Sequence, residues 1–444
     1  MNRHLLLAAA ALAIGACLAA TPSVAQEAPA PTRVIGFDQA IEIALAQNDT
    51  LRQARNAAAL GELDVAQARS GFLPDLRVSS QASRAVGRAD GADTRNATLG
   101  LTSGVTLFDG FANTAALAGA RAASAADEQD LARAGETVVF TVATNFLALV
   151  QQREELRVQR ENLTAQAALA AQIDTYVKAG ARTIADLYQQ QANVASAQLA
   201  VVQAERSAEL ARIDVIRTLR LDPRGTYEFV APEIRQPAVA TPEALETLIG
   251  RAFGMRADIR ASEARLEAAR QDIRVAKSTR WPTVSLSAGY GSSYSSADPA
   301  GWRDQFSDER GGSIGLNFAL PLFDRSATRI ATRRAEIRAD SAQIDLDSLE
   351  QEVGSQVRTA VLDLESARAQ LAAAEAQLAA AERALEVTDQ RYKAGAATLV
   401  ELTQSRATQV EAASAAVASR YNAEFRRRLL DYYVGGLTPQ SVRF

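Results

Sequence analysis

Lys178-Ala179-Gly180-Ala181 and Lys393-Ala394-Gly395-Ala396 are two copies of one short turn, 215 residues apart in a chain of 444. Six residues after its glycine, each copy reaches a carboxylate and a leucine, Asp186-Leu187 in the first and Glu401-Leu402 in the second. Glycine readily takes the positive φ at which helices end. The stretch therefore predicts the tip of a helical hairpin, present twice.

The repeat extends upstream of both turns as apolar residues spaced seven apart. The first set comprises Val142, Leu149, Leu156, Leu163, Ala170 and Val177. The second set, again 215 residues further on, comprises Val357, Leu364, Leu371, Leu378, Leu385 and Tyr392. Two landmarks also pair: Leu107-Phe108-Asp109 with Leu322-Phe323-Asp324 at the same offset, and Leu73-Pro74 with Trp281-Pro282 at an offset of 208. A register held over six heptads indicates an internal duplication.

The landmarks divide the chain into two repeats with short segments around them. We predict a signal peptide at 1–25, a leader at 26–36, a first repeat at 37–222, a linker at 223–241, a second repeat at 242–437 and a C-terminal tail at 438–444. Cleavage after Ser23-Val24-Ala25, which follows an apolar run, is one interpretation of the N-terminus. The alternative is a lipobox at Ile14-Gly15-Ala16-Cys17, which would make Cys17 the lipidated N-terminus.

Each repeat contains a pair of segments in which apolar and small polar residues alternate, at about 75–107 and about 283–322. This period predicts β-hairpins with one apolar and one polar face. No apolar segment after the signal reaches the ~18 residues that a membrane-spanning helix needs. An exported chain of this kind is periplasmic, secreted or inserted as a β-barrel.

The expected fold class is an α+β membrane protein, a duplicated unit with long antiparallel α-helical coiled-coil hairpins and four β-strands. The helical patterns at 111–178 and 325–393 would each span ~100 Å. Their return helices are shorter, so we predict that each stacks end to end with the helix that precedes the strands. A barrel needs about eight strands, so several chains must share one. Three copies would supply twelve strands, and the sequence alone also allows two or four copies.

A polar stripe on the first long helix comprises Asn145, Gln152, Gln159 and Gln166. At the corresponding positions the second repeat has Ala360, Ala367, Ala374 and Ala381, small residues that allow helices to approach closely. The polar stripe is either a solvated helix face or the lining of a water-filled lumen. The candidates for lumen lining are Gln152, Gln159 and Gln166.

Composition argues against catalysis and against nucleic-acid binding. The formal net charge is −4, and basic residues are not interleaved with aromatic ones along any stripe. His4 is the only histidine and Cys17 the only cysteine. A chain cut after Ala25 therefore lacks the usual nucleophile and base pairs. We expect no enzyme activity, no cofactor, no metal site and no nucleic-acid partner.

The duplicated exported chain, its strand pairs, the Leu-Phe-Asp after each second strand and the glycine tips resemble the TolC-like outer membrane efflux proteins. The resemblance covers residues 37–436. It implies a homotrimer with a twelve-stranded barrel in outer membrane lipid, a helical tunnel across the periplasm, and a tip closed at rest. It also implies docking, through a periplasmic adaptor (membrane fusion) protein, on an inner membrane transporter of RND or ABC type.

The resemblance assigns roles to residues of the tips at 178–183 and 393–398. Those expected at the site of adaptor docking are Lys178, Gly180, Ala181, Lys393, Gly395 and Ala396. The gate candidates are Arg182, Asp186, Glu401 and Tyr392, with Arg182 paired to Glu401 in the closed state. The alternative for each charge is a solvated helix end, since exposed ion pairs contribute only ~0–1 kcal/mol.

Two classes of function follow. The first is a passive exit duct of a tripartite efflux or type I secretion system, in the outer membrane and extending into the periplasm. The second is a soluble periplasmic coiled-coil adaptor or chaperone, with the alternating segments as a small β-domain. Within the first class, the sequence does not choose between protein and small-molecule substrates.

Overall fold

The structure is a computed structural model that describes residues 33–85, 94–230 and 243–437. The predicted signal peptide, with both candidate processing sites, and the predicted C-terminal tail lie outside these described residues. So does most of the predicted linker.

The two repeats contain matching series of helices and strands. The first has β1 (Arg33–Ile35), α1 (Phe37–Gln47), α2 (Asp49–Ser70), β2 (Asp75–Ala85), β3 (Thr94–Phe108), α3 (Ala112–Lys178) and α4 (Ile184–Thr218). The second has β4 (Tyr227–Phe229), α5 (Leu245–Met255), α6 (Ala257–Ser278), β5 (Thr283–Ser295), α7 (Trp302–Asp308), β6 (Gly311–Ala319), α8 (Ala327–Lys393) and α9 (Leu399–Tyr433). The long helices α3 and α8 both have 67 residues, and the return helices α4 and α9 both have 35. The predicted duplication is confirmed.

The repeated Leu-Phe-Asp landmark starts each long helix. Asp109 Oδ2 accepts a hydrogen bond from the N–H of Asn113 at 2.8 Å, and Asp324 Oδ2 accepts one from the N–H of Thr328 at 2.8 Å. Hydrogen bonds from the hydroxyl and the N–H of Thr328 lower the pKa of Asp324. The aspartates thus satisfy N–H groups in the first helical turn, which have no partner within the helix.

The short helices stack end to end along the long ones, as predicted. In the first repeat α2 and α4 both pack on α3. An ion pair between Arg220 and Asp49 joins their ends, and Asn145 of α3 donates a hydrogen bond of 2.7 Å to Thr218 at the end of α4. In the second repeat α6 and α9 both pack on α8, and Arg256 donates to the carbonyl of Tyr433 at 3.3 Å.

The four long strands form one antiparallel sheet in the order β2-β3-β5-β6. Residues directly opposite one another share a face, for example Val78, Leu101 and Tyr290 across β2, β3 and β5. The apolar face comprises Leu76, Val78, Leu99, Leu101, Val105, Val284, Leu286, Tyr290, Ile314, Leu316 and Phe318. The other face carries small or polar residues, including the row Gln81, Thr98 and Ser293. The predicted division into two faces is confirmed.

Three elements differ from the sequence-based expectation. The end of the predicted leader forms β1, and the start of the predicted linker contains β4, which pairs with β1 in a small parallel sheet. The connection between β5 and β6, expected to be a loop, contains α7. Strands of three residues are too short to show a period, and their pairing joins segments almost 200 residues apart.

The largest apolar core lies midway along α3, where the two repeats meet. Phe146 contacts Phe37 and Phe229 edge to face, with ring centroids 5.4 and 6.0 Å away. By length and composition alone α3 could cross a membrane, because it has an 18-residue window of mean hydropathy 1.2. By this test the expectation that no segment after the signal is long and apolar enough is wrong. Since 44% of the window is buried, much of its apolar surface already packs inside the bundle.

Candidate functional site

Both predicted tips are helix ends closed by the same backbone hydrogen bonds. Gly180 and Gly395 have φ values of 73° and 75°. In the first tip the N–H of Ala181 donates to the carbonyl of Tyr176 at 2.8 Å, and the N–H of Gly180 donates to that of Val177 at 3.0 Å. These two bonds form a Schellman motif, and the second tip repeats them. Glycine fits here because a side chain would be strained at positive φ.

A threonine caps each return helix at its tip, and in the first tip the carboxylate of Asp186 completes the cap. Asp186 Oδ2 accepts from the N–H of Thr183 at 3.3 Å, and the hydroxyl of Thr183 accepts from the N–H of Asp186 at 3.2 Å. This capping box fixes the start of α4. In the second tip the hydroxyl of Thr398 accepts from the N–H of Glu401 at 3.2 Å. The carboxylate of Asp186 therefore caps α4, whereas Glu401 contributes negative charge to the first turn of α9, where such charge is favoured.

The residues predicted to dock an adaptor lie together at the exposed ends of the two hairpins. All six are exposed in the chain: Lys178, Gly180, Ala181, Lys393, Gly395 and Ala396. Each lysine pairs with an aspartate one turn earlier, Lys178 with Asp174 and Lys393 with Asp389, both at 2.6 Å. The small residues leave the backbone of each turn open to a partner.

Tyr392 is the centre of the packing between the two tips. Its side chain is only 3% exposed and lies in an apolar cluster with Leu169, Ile173, Leu187, Ala397, Leu399 and Leu402. Burial raises the pKa of Tyr392. Among the described residues its hydroxyl has no hydrogen-bond partner. A gate candidate from the second repeat is thus held by residues of the first.

Arg182 and Glu401, expected to pair, have other partners within the chain. The guanidinium of Arg182 lies 4.6 Å from the ring centroid of Tyr392, a cation–π contact. Glu401 lies 3.8 Å from Arg391 of its own hairpin. Arg182 and Glu401 thus contact different residues in the chain, and their pairing in the closed state stays a prediction.

Part of the predicted lumen lining lies between helices instead. Gln166 is buried, and Gln190 of α4, which is fully buried, donates to its side-chain oxygen at 2.7 Å and to its carbonyl at 3.0 Å. Gln159 lies between α3 and α9, where it donates to Glu155 at 2.7 Å and to Ser414 at 3.4 Å. Both earlier interpretations are thus wrong for Gln166. Gln152 is half-buried and stays a candidate for lumen lining.

A partly buried charge cluster joins the two repeats and was not predicted. Arg133 of α3 contacts Glu136 at 2.8 Å and Asp258 of α6 at 3.6 Å, and the buried Arg256 contacts Asp258 at 2.5 Å. Burial raises the pKa of Glu136. Burial also acts to raise the pKa of Asp258, but the two arginines outweigh it, so the net shift is downward. In sequence these residues look like ordinary helix-surface charges.

A comparison with known protein families assigns the chain to one of them. Residues 40–219 and 248–436 match the family model described as outer membrane efflux protein. Protein CyaE of Bordetella pertussis is 30% identical over 343 residues, which cover 73% of this chain and 69% of that protein. The pyoverdine export outer membrane protein OpmQ of Pseudomonas aeruginosa is 26% identical over 362 residues, covering 79% and 74% of the two chains.

Solved structures with the same fold extend the similarity to nearly the whole chain. The outer membrane protein VceC of Vibrio cholerae superposes with a TM-score of 0.76 at 22% identity, covering 90% of this chain and 96% of VceC. The CmeC outer membrane channel of Campylobacter jejuni superposes with a TM-score of 0.78 at 19% identity, covering 92% and 87%. The duplicated sheet and hairpins, the repeated tips and these matches show that the chain belongs to the outer membrane efflux protein family.

Proposed function

We propose that the protein is the outer membrane exit duct of a tripartite efflux or type I secretion system. The observation that carries this proposal is the four-stranded sheet, which has one apolar and one small polar face and is continuous with helices of 67 residues. Lipid against the apolar face and water against the other would suit such a sheet. At 1.5 Å per residue the helices reach about 100 Å from it.

The duct is a homotrimer in the outer membrane that extends into the periplasm. Four strands leave two open edges, and unpaired backbone groups in hydrocarbon cost several kcal/mol each. Three copies supply the twelve strands of one closed barrel. Members of the family are trimeric outer membrane channels that work with adaptors and inner membrane transporters. This membership argues against the alternative of a soluble periplasmic adaptor or chaperone.

Transport is passive, and the tip is the gate. Substrate diffuses through the aqueous lumen, and the energy comes from an inner membrane transporter of RND or ABC type. A periplasmic adaptor docks on the exposed turns around Gly180 and Gly395. Opening requires the tip hairpins to separate, which breaks the packing of Tyr392 against Ile173 and Leu187.

The duct would carry either proteins or small molecules. One relative is named for pyoverdine export, and the name CyaE states no cargo. Deletion of the gene, followed by assays of drug sensitivity and of the secreted proteins in the medium, separates the two classes of substrate. Loss of one secreted protein without drug sensitivity indicates type I secretion, and the reverse indicates efflux. A deletion strain that changes in neither assay contradicts the proposed duct.

A further inference from the structure

The apolar face of the sheet ends in two arginines at the end that lies away from the helices. The strands join the long helices near Phe108, so in the proposed duct the opposite end of the sheet faces out of the cell. At that outer end Arg84 of β2 lies directly opposite Arg95 of β3. Successive side chains alternate between faces, and counting from Val78 and Leu101 places both arginines on the apolar face.

We infer that these two arginines bind a phosphorylated lipid, with the headgroup phosphate between Arg84 and Arg95 and the acyl chains along the apolar face. The inference rests on the proposed function, because only a sheet in the outer membrane has lipid against this face. Arginine presents a planar fork of donors that matches a phosphate, so two forks can hold one phosphate from both sides. Basic pockets beside the apolar surface of membrane proteins bind phosphorylated headgroups.

Two like charges side by side favour an anion between them. Directly opposed residues of an antiparallel pair have Cβ atoms about 4.5–5.5 Å apart, and like charges at such positions are destabilising. Arg84 and Arg95 are both exposed, and among the described residues the side chain of Arg95 forms no hydrogen bond or ion pair. Arg310 directly precedes β6 and adds a third basic residue at the same end of the sheet. A phosphate there would offset the repulsion.

Acidic residues do not neutralise this part of the apolar face. Among the described strand residues, Arg84 and Arg95 are the only charged ones on that face. Glu309, in the connection between β5 and β6, accepts a hydrogen bond of 2.5 Å from Ser293, whose side chain lies on the other face. Asp298 and Asp308 accept hydrogen bonds within that connection itself. The positive charge is thus separated from the nearest described carboxylates.

The distance along the strand places the arginines at the level of lipid headgroups. Arg95 and Val105 both lie on the apolar face of β3, ten positions apart, which corresponds to about 34 Å of strand. With the tilt of 35–45° that is usual in membrane barrels, this is a height of about 24–28 Å, close to the ~25 Å of their apolar band. Since Val105 lies near the inner end of the apolar face, the arginines lie at its outer boundary.

The row of residues next to the arginines suits acyl chains. It comprises Ala82 of β2, Ala97 of β3 and Tyr294 of β5, which lie opposite one another on the apolar face. The two alanines lie directly below the arginines and leave a shallow depression, and the tyrosine borders it on one side. Aromatic rings are favoured at the boundary between hydrocarbon and headgroups. The row therefore provides space for a chain immediately below the proposed phosphate site.

The site is tested by titration of the purified full chain, in a non-ionic detergent, with lipid A, a glycolipid that carries two phosphates. Native mass spectrometry counts the lipid molecules on each protein particle. The test variant carries Arg84→Gln and Arg95→Gln, and Arg95→Gln alone is the second variant. The matched control is Arg77→Gln, which removes an arginine of β2 from the other face of the sheet, where Arg77 pairs with Asp75 at 2.8 Å.

Half-saturation is expected to need at least tenfold more lipid A in the double variant and at least threefold more in Arg95→Gln. The control should bind as the unchanged chain does. Heat-modifiable migration on gels identifies the folded variants, and Arg95→Gln alone decides the question where the double variant does not fold.

Equal binding of lipid A by the test variants and the control would overturn the site. Displacement of lipid A by an equal concentration of inorganic phosphate would overturn the assignment to a lipid, because the acyl chains should strengthen binding. Either result from a protein that is trimeric by light scattering overturns this inference alone. A protein that stays monomeric, or stays in solution without detergent, would overturn the proposed function as well.

Discussion

The guanidinium of Arg182 lies 4.6 Å from the centroid of the Tyr392 ring, so the first tip of the chain is attached to the second. The ring is buried among residues of both hairpins, including Ile173 and Leu402. A cation–π contact at a partly exposed site contributes about 0.5–2 kcal/mol. This contact stabilises the arrangement in which the two tips are packed together.

Arg182→Gln is expected to loosen the tip. Since each 1.4 kcal/mol changes an equilibrium about tenfold, loss of about 1 kcal/mol increases the separated population about fivefold. Single-channel conductance in planar bilayers measures this larger population of separated tips as more frequent opening of the channel. Tyr392→Phe is the control, because it keeps the ring and removes only a hydroxyl without a partner among the described residues. Equal opening in both variants would contradict a role for the ring.

The buried pair Gln166–Gln190 gives a second prediction. The residues at the corresponding positions of the second repeat supply its control. Gln190→Leu removes the donor to the buried side-chain oxygen of Gln166, which costs about 1–3 kcal/mol. The double variant Gln166→Ala and Gln190→Ser installs the residues of the second repeat, Ala381 and Ser405, and should recover part of the loss. Denaturant unfolding in detergent measures both. Recovery no better than in the single variant would contradict the pairing argument.

Sequence patterns predicted the elements of the fold and the stacking of the short helices, but not the side-chain contacts between elements. The long helix α8 was expected at 325–393 and spans Ala327–Lys393, because heptads and a glycine turn are local signals. The partner of Arg182 depends on how two hairpins pack, which no local period records. The polar stripe through Gln166 is a pattern in the sequence. Its partner Gln190 lies on another helix, so the pattern does not predict their contact. Similarly, β1 and β4 are strands because they pair with each other, and neither segment carries a strand pattern of its own.

The elbow between β3 and α3 requires glycine at position 110. A Cβ there would lie 2.5 Å from the carbonyl oxygen of Ser278 and 2.7 Å from Cβ of Trp281, at a φ of 68°. Gly110→Ala is therefore expected to reduce the yield of folded protein at least severalfold. The corresponding residue Arg325 has a φ of 53°, so Arg325→Gly should be neutral or slightly stabilising. The heat-modifiable fraction on gels measures both, and equal yields would contradict this account.

The charge cluster predicts a pH-dependent effect of Asp258→Asn. The pKa of Asp258 is lower in the folded chain than its ordinary value, so its ionised form stabilises the fold above that value. This stability is lost as pH falls through the folded pKa. At neutral pH the variant leaves Arg256 buried without its carboxylate, a loss of about 3–5 kcal/mol. The difference in free energy of unfolding between the two proteins should therefore shrink as pH falls below the ordinary value and through the folded pKa. A difference in the free energy of unfolding that stays constant down to pH 2 would contradict a stabilising role for the ionised form of Asp258.

The number of chains per conducting pore tests the central claim most directly, because four strands per chain are too few to close a barrel. The measurement combines light scattering of the purified protein in mild detergent with conductance of the same fraction in planar bilayers. The account predicts that conductance is found only in the fraction with the mass of three chains. A monodisperse monomer that conducts ions, or a protein recovered from the periplasm without detergent, would contradict it.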